Sequence, residues 1–231
     1  MCRRAFSSPE ALAYELTIAP ALAAVVVPCL LPLISGRRVL DVGCGGGAIA
    51  SQIATDRQVG VVGIDPSTSQ IRRFARRSRT LPAVAGIQAR AEHLHFRDAS
   101  FDTVISSCAW KHWSSPGLGI AECVRVLRPG GTLLVVEVDG STTPAGFWRF
   151  AQTSRIPLGM RRAYVRFSMR TVVGVAPDAT TLERSFDAAA PLRPSIGRIK
   201  DLPFLIAIVT LPVSASRARS SPAFAAASRP G

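Results

Sequence analysis

Short runs of β-branched residues alternate with helical stretches from Arg38 onward, and this alternation limits the fold more than any other feature of the chain. It is typical of a parallel sheet covered by helices, because parallel strands need long crossover connections. Strands are predicted over Arg38–Val42, Gly60–Ile64, Val84–Ala89, Phe101–Ser106, Gly131–Val138 and Phe204–Thr210, the last pairing with a run near Pro194–Ile199. Helices are predicted over Ala48–Ala54, Ser67–Thr80, Leu118–Val126, Phe147–Ser154 and Arg161–Val172. The sequence therefore predicts an α/β fold.

The composition permits one large folded domain. Of the 231 residues, 48% are hydrophobic and 19% are charged, so the chain can bury a substantial core and is not wholly disordered. Its 28 Lys and Arg outnumber its 15 Asp and Glu, which gives a formal net charge of +13. This excess indicates either an anionic partner, such as nucleic acid, a phosphorylated metabolite or a membrane surface, or arginines spread over solvated faces. Five scattered cysteines without a CxxC pair or a His/Cys cluster predict reduced thiols, a cytoplasmic location and no metal site.

The longest apolar run covers Ile18–Ile34 and contains three prolines. It is shorter than the roughly 20 residues that span a bilayer, and interior prolines weaken a helix. We therefore expect one or two helices packed on the domain, with attachment to a membrane surface through residues 18–34 as the alternative. The chain is divided into a helical, apolar N-terminal cap (1–35), a central domain (36–212) and a disordered basic tail (213–231).

A glycine-rich loop follows the first predicted strand and precedes a helix, in the segment Val39–Gly47 (VLDVGCGGG). Glycines suit this place because a tight turn needs positive φ and because a bare backbone lets a ligand approach the helix N-terminus. Asp65 ends the second predicted strand, where a carboxylate can accept hydrogen bonds from both ribose hydroxyls. Together these features predict a nucleoside-containing cofactor at the carboxyl ends of the central strands.

The glycine loop alone does not separate a dinucleotide from other nucleoside cofactors, since Gly43, Gly45 and Ala48 fit a permitted dinucleotide variant. Asp41 decides between them. Its carboxylate lies within the strand two residues before the first glycine, where it would repel a pyrophosphate but suits a cofactor that carries an ammonium and a sulfonium.

Five segments occur in the order and spacing of a known motif series: VLDVGCGGG, GIDPS, AEHLHF, FDTVISS and VRVLRPGGTLLVVE. The chain resembles the class I S-adenosylmethionine-dependent methyltransferases, in particular the small-molecule branch that includes ubiquinone and menaquinone biosynthesis enzymes. The likeness is strong over residues 36–138. It implies a Rossmann-like, seven-stranded, mostly parallel sheet with helices on both faces and an antiparallel last strand, and S-adenosylmethionine as the cofactor.

The resemblance also implies roles for individual residues. Asp41 and the loop glycines Gly43, Gly45 and Gly47 would hold the methionine part of the cofactor, and Asp65 would hold the ribose. The adenine would be bordered by Pro66, Ser67, Ala91, Glu92 and His93, and the methyl group by Ser106, Ser107 and Cys108. Asp65 as a helix N-cap and Glu92 as a solvated surface residue are the alternatives. Cys44 is expected to pack and not to act as a nucleophile.

The acceptor side is less constrained. His112, within Trp110–Trp113 (WKHW), could take a proton from the acceptor, because an unperturbed imidazole titrates near neutral pH; the alternative is that His112 and Trp113 only cover the pocket. Aromatic residues with the 18–34 run indicate a pocket for an apolar or aromatic molecule, although core packing explains them equally well. They are Phe147, Trp148, Phe150, Tyr164 and Phe167.

The predicted function is S-adenosylmethionine-dependent O- or C-methylation (EC 2.1.1.-) of a small, apolar or aromatic molecule. Three alternatives stay open. The arginine-rich faces favour an RNA methyltransferase, but the fourth strand lacks the Asn/Asp-Pro-Pro-Tyr/Phe pattern that grips a flipped base. The others are an NAD(P)-dependent oxidoreductase and an inactive cofactor-binding scaffold.

Overall fold

The computed structural model describes residues 8–187 and 192–213. Within these ranges the chain forms one sheet of seven strands: β1 (Arg38–Val42), β2 (Gly60–Asp65), β3 (Val84–Gln88), β4 (Phe101–Ser107), β5 (Leu127–Val138), β6 (Ser195–Arg198) and β7 (Phe204–Thr210). The predicted disordered tail lies outside the described residues, except for Val213. Every predicted strand is present, and β5 begins four residues earlier than expected because Leu127 pairs with Phe101 ahead of a register shift.

The strand order is β3-β2-β1-β4-β5-β7-β6. The pairs among β1 to β5 are parallel, whereas β7 runs antiparallel to both of its neighbours. The predicted seven-stranded, mostly parallel sheet with an antiparallel last strand is confirmed. The order reverses between β1 and β4, and a doubly wound sheet opens a ligand crevice at the carboxyl ends of its strands at such a point.

Eight described helices accompany the sheet: α1 (Ser8–Thr17), α2 (Ala19–Leu30), α3 (Ala48–Arg57), α4 (Thr68–Arg77), α5 (Pro116–Val126), α6 (Pro144–Thr153), α7 (Arg161–Thr171) and α8 (Ala179–Asp187). The sequence analysis missed α8, and it predicted a helical cap over residues 1–35 without giving α1 bounds of its own. Helices lie on both faces because successive strand residues point to opposite sides. Val39 belongs to one buried cluster, together with α2, α3 and α6, and Leu40 belongs to the other, together with α5 and α8.

The apolar run of residues 18–34 is part of the core. It forms α2 and a short 3-10 turn, Leu31–Leu33, and the side chains of Val26, Val27 and Leu30 are fully buried. The expectation of helices packed on the domain is confirmed. Burial of Leu22, Val26, Val27, Leu30 and Ile34 leaves fewer apolar side chains of this run for the alternative, attachment to a membrane surface. No helix among residues 8–187 and 192–213 combines the length and apolar character needed to span a bilayer.

Candidate functional site

The glycine-rich loop joins β1 to α3 at the switch point of the sheet. Gly43, Gly45 and Gly47 all have positive φ, at 81°, 53° and 78°. A Cβ on Gly47 would lie 2.1 Å from the buried ring of Phe74 in α4, so a side chain is excluded there by contact as well as by backbone angle. The glycines therefore let α3 and α4 pack closely beside the loop.

Every amide of residues 43–47 donates within the protein. Gly43 and Cys44 donate to the Ile64 carbonyl (2.8 and 2.9 Å), and Gly47 donates to the Cys44 carbonyl (2.9 Å). The Gly45 amide donates to Asp65 Oδ2 at 3.1 Å. A dinucleotide site would need such amides for its pyrophosphate, so this loop is poorly suited to one.

The remaining loop amide is held by Glu15 of α1. The Gly46 amide donates to Glu15 Oε1 at 2.9 Å, and Glu15 Oε2 forms an ion pair with Arg77 of α4 at 3.0 Å. Arg77 also donates to the Gly46 carbonyl. These contacts, termed the Glu15 clasp below, fasten the N-terminal helix over the glycine loop. The sequence analysis did not identify them.

Asp65 lies at the end of β2 and already accepts two backbone hydrogen bonds. Its Oδ1 accepts from the Ser67 amide (2.8 Å), as a cap at the start of α4 would, and its Oδ2 accepts from Gly45. Burial raises the pKa of Asp65, and these two hydrogen bonds oppose the rise. Because a carboxylate offers about four lone-pair sites, capping and ribose binding are compatible.

Asp41 is buried, and its register neighbour on β2 is Gly63. Burial, and secondly the charge of Asp65, raise the pKa of Asp41 to about 7. A carboxylate in this position gains most from a cationic ligand, which would offset both its desolvation and its repulsion from Asp65.

A cavity of about 550 Å³ opens at these strand ends. One end is polar and acidic, with Glu15, Asp41 and Asp65 beside the glycine loop. The other end is apolar and includes Ile18 and Leu22 from the N-terminal helices. Aromatic side chains complete that end: Tyr14, Phe147, Phe150, Tyr164, Phe167 and Phe204. Of the five predicted pocket aromatics, Trp148 is the one that does not line the cavity.

Three buried oxygens of the cavity lining lack a hydrogen-bond partner within the described chain, namely Gln70 Oε1, Ser107 Oγ and, on α7, Ser168 Oγ. Gln70 projects from α4 next to the loop, since a Cβ on Gly45 would lie 3.6 Å from its Nε2. Buried polar atoms are rarely left unpaired. The unpaired oxygens of Gln70 and Ser107, together with the acidic end of the cavity, fit a polar, positively charged cofactor. Gln70 was missed by the sequence analysis, although it is a polar residue one turn from buried Phe74.

The structure brings most of the predicted site residues to the cavity. Those that line it are Asp41, Gly43, Gly45, Asp65, Pro66, Ala91, Glu92, Ser107 and His112. Gly47 and Ser106 do not line it: Gly47 packs on Phe74, and Ser106 is fully buried on the opposite side of β4 from Ser107. Glu92 is not merely solvated, because it accepts hydrogen bonds from the amides of Ser114 and Ser115.

His112 lies in a 3-10 turn, Trp110–His112, directly after β4. Beside it, Lys111 is buried and forms an ion pair with Glu137 of β5, with Nζ and Oε1 2.8 Å apart. Lys111 Nζ also donates to the Cys108 carbonyl at 2.9 Å. The buried Lys111–Glu137 ion pair connects the 3-10 turn to the end of β5 and so fixes the position of His112.

The cysteine thiols at the site are held neutral. Burial, and secondly the charge of Asp41, raise the pKa of Cys44, whose side chain packs against the core. Burial likewise raises the pKa of Cys108 to about 12. Neither thiol has the lowered pKa of a nucleophile. Over the part of the chain that the structure describes, no group of His, Cys, Asp or Glu side chains could hold a metal ion.

Comparison with known proteins gives a consistent result. A family model described as a methyltransferase domain matches residues 40–135. The 27-O-demethylrifamycin SV methyltransferase of Amycolatopsis mediterranei is 36% identical over 129 residues, which cover 54% of this chain and 47% of that protein. The demethylmenaquinone methyltransferase of Beutenbergia cavernae is 41% identical over 109 residues, covering 47% of this chain and 43% of that protein. The matches thus span about half the length of these relatives.

Among solved structures, a SAM-dependent methyltransferase from Aquifex aeolicus superimposes with a TM-score of 0.65. The match covers 90% of this chain and 100% of that one at 14% sequence identity, and so supports the fold.

The fold and the site define a class: a doubly wound α/β protein with an acidic cofactor cleft at its topological switch point. Residues 40–135 match a methyltransferase-domain model. Over this region the chain is similar to S-adenosylmethionine-dependent methyltransferases of the class I type, and the solved structure supports the same fold. The resemblance drawn from its motifs is confirmed, and the family implies S-adenosylmethionine as the cofactor.

Proposed function

We propose that this protein transfers the methyl group of S-adenosylmethionine to a small acceptor whose body is apolar or aromatic. The observation that carries the proposal is the two-ended cavity, which joins an acidic end at the glycine loop to an apolar end lined by aromatic side chains. A cation-bearing cofactor fits the first end and an apolar acceptor fits the second, with the end of β4 between them. The named relatives, which methylate a rifamycin and a menaquinone precursor, agree with an acceptor of this kind.

In this proposal the acidic end binds the cofactor. Asp41, with the loop around Gly43 and Gly45, would hold its methionine portion, and Asp65 its ribose. Pro66, Ala91 and Glu92 would border the adenine. Ser107 at the end of β4 would face the methyl group, whereas Ser106 and Gly47 would support the site from outside the cavity. Gln70, with its unpaired oxygen, joins this set.

S-adenosylmethionine supplies the methyl group on a sulfonium, so the leaving thioether needs no activation by the protein. The task of the chain is to align the acceptor and exclude water. An acceptor hydroxyl or acidic carbon also loses a proton when the new bond forms. We propose that an imidazole nitrogen of His112 takes this proton. His112 follows β4 and lies at the rim of the cavity.

The division of the chain follows from the same proposal. We assign residues 1–35, which include α1 and α2, to a cap on the methyltransferase domain (36–212), and α1 contacts the glycine loop through the Glu15 clasp. A cytoplasmic location is supported by Cys29, Cys44, Cys108 and Cys123, which are all free thiols.

Calorimetry with S-adenosylhomocysteine, and NADH as the comparison, tests the cofactor assignment. We expect binding of the first and none of the second. Asp65→Ala should weaken S-adenosylhomocysteine binding by about 1–3 kcal/mol, since charge-assisted hydrogen bonds are lost. Asp56→Ala, an exposed position on α3, is the matched control and should bind like the wild type. Equal affinities for both variants would remove Asp65 from the site.

A further inference from the structure

The outer face of α7 carries a row of arginines. Arg162, Arg166 and Arg170 are exposed and recur every fourth residue, so they lie on one side of the helix. Like charges at this spacing destabilise a helix. Residues 155–176 contain five arginines and no Asp or Glu, so no acidic side chain of this segment offsets the repulsion. The row is therefore suited to an external anionic surface.

Large apolar side chains are exposed beside these arginines. Leu158 is 73% exposed, Met160 is 62% exposed and Phe167, on α7 itself, is 64% exposed. Single exposed apolar residues are ordinary, but a group of them signals an interaction surface. Phe167 lines a shallow groove together with Arg162, Arg166 and Arg170, and Gly159, which lies between Leu158 and Met160 in the chain, lines the same groove. The basic and apolar groups thus belong to one surface, termed the α7 face below.

The α7 face adjoins the apolar end of the cavity. Phe167 and Thr171 line both the surface groove and the cavity, and Val175, which is 42% exposed, also lines the cavity. A surface that covers the α7 face therefore also contacts residues that line the apolar end of the cavity.

We propose that the α7 face docks on the surface of an anionic lipid bilayer. Arginines then meet lipid phosphates while Leu158, Met160 and Phe167 enter the boundary between headgroups and acyl chains, as in amphipathic helices that lie on membranes. Docked in this way, the protein opens its apolar compartment towards the bilayer, and an apolar acceptor reaches it without crossing water. The α7 face replaces the 18–34 run as the membrane contact.

Charge favours a bilayer over a second copy of the chain. A two-fold dimer brings the same patch of both subunits together, which would oppose two arginine rows with no acidic residue of segment 155–176 between them. An anionic bilayer offers the complementary charge, and it also accepts the apolar side chains.

Sedimentation with phosphatidylglycerol/phosphatidylcholine vesicles tests the proposal on the full chain, without cofactor. We expect the wild type to bind anionic vesicles, to be released by salt and not to bind pure phosphatidylcholine. The triple change Arg162→Glu, Arg166→Glu and Arg170→Glu should weaken binding at least about 100-fold, because each arginine near an anionic surface contributes about fivefold. The double change Leu158→Ser and Met160→Ser should weaken it at least about tenfold.

The matched control changes the same charge elsewhere, on α4 and the turn that follows it, a segment without an exposed large apolar side chain. Arg72→Glu, Arg76→Glu and Arg79→Glu should alter binding less than about threefold. Equal losses in the two triple variants would overturn the proposal, because they would indicate a non-specific effect of net charge. Absence of wild-type binding to anionic vesicles would also overturn it. Concentration-dependent dimers abolished by the α7 triple would also overturn it. Far-UV circular dichroism and retained S-adenosylhomocysteine affinity verify that the variants are folded. The vesicle assay does not depend on catalysis, so failure of the proposed methyl transfer would leave its result unaffected.

Discussion

The buried carboxyl group of Asp41 should make the stability of this protein depend on pH in a specific direction. Its pKa lies at about 7 in the folded protein, against an ordinary value of 3.8. Between these values the unfolded chain is ionised at Asp41 and the folded chain is protonated there. The free energy of unfolding should therefore fall as pH rises from about 4 to about 7. At about 1.4 kcal/mol per pKa unit, the ionised carboxylate costs the ligand-free fold up to about 4 kcal/mol at pH 8.

Asp41→Asn removes the titration and keeps the shape of the side chain. Urea unfolding at pH 5, 6, 7 and 8 should show the variant gaining on the wild type as pH rises, and exceeding it by up to about 4 kcal/mol at pH 8. Asp56→Asn, exposed on α3, is the control and should follow the wild-type curve. Parallel pH curves for wild type and Asp41→Asn would refute the reasoning.

The same substitution should weaken cofactor binding. The ammonium group of bound S-adenosylhomocysteine keeps Asp41 ionised, so binding of this ligand below pH 7 should release a proton that Asp41→Asn does not release. Calorimetry in buffers of different ionisation enthalpy measures this proton. Stability and cofactor affinity would then change in opposite directions at one position, which distinguishes a functional carboxylate from a structural one.

Three further predictions concern stability and turnover. Lys111→Met should destabilise the protein by about 3–5 kcal/mol in urea unfolding, because it leaves Glu137 buried without its counter-ion; the double variant with Glu137→Leu should recover much of this loss, and no recovery would contradict the account. His112→Ala should lower kcat with little change in S-adenosylhomocysteine affinity, and an unaltered kcat across pH 6–9 would exclude it as the base. Gly47→Ala should cost at least about 2 kcal/mol through positive φ and contact with Phe74, so a near-neutral effect would show that the loop can adjust.

The strands and the cofactor loop could be predicted because their signals are local. The runs at Arg38–Val42 and Phe204–Thr210 are buried, bounded by turn residues, and observed with the predicted limits. The helix α8 was missed because its periodicity is short and lies in an irregular region. The extension of β5 back to Leu127 depends on pairing with β4, which a local pattern does not contain.

The site was predictable only as far as local spacing reaches. Asp41 and Asp65 are marked by their positions at strand ends. Glu15 and Gln70 come to the loop through packing of α1 and α4, so nothing in their local sequence indicates the cavity. For Ser106 and Ser107 the sequence held more information than the analysis used. Adjacent strand residues point to opposite faces of a sheet, so only one of the two serines can line the cavity.

Through the Glu15 clasp, helix α1 helps to hold the glycine loop that we propose binds the cofactor. Deleting the segment up to Thr17 would strip the Gly46 amide of its acceptor and leave Arg77 without its carboxylate. Hydrogen exchange at that single amide would therefore report how often the N-terminal helix moves away from the glycine loop.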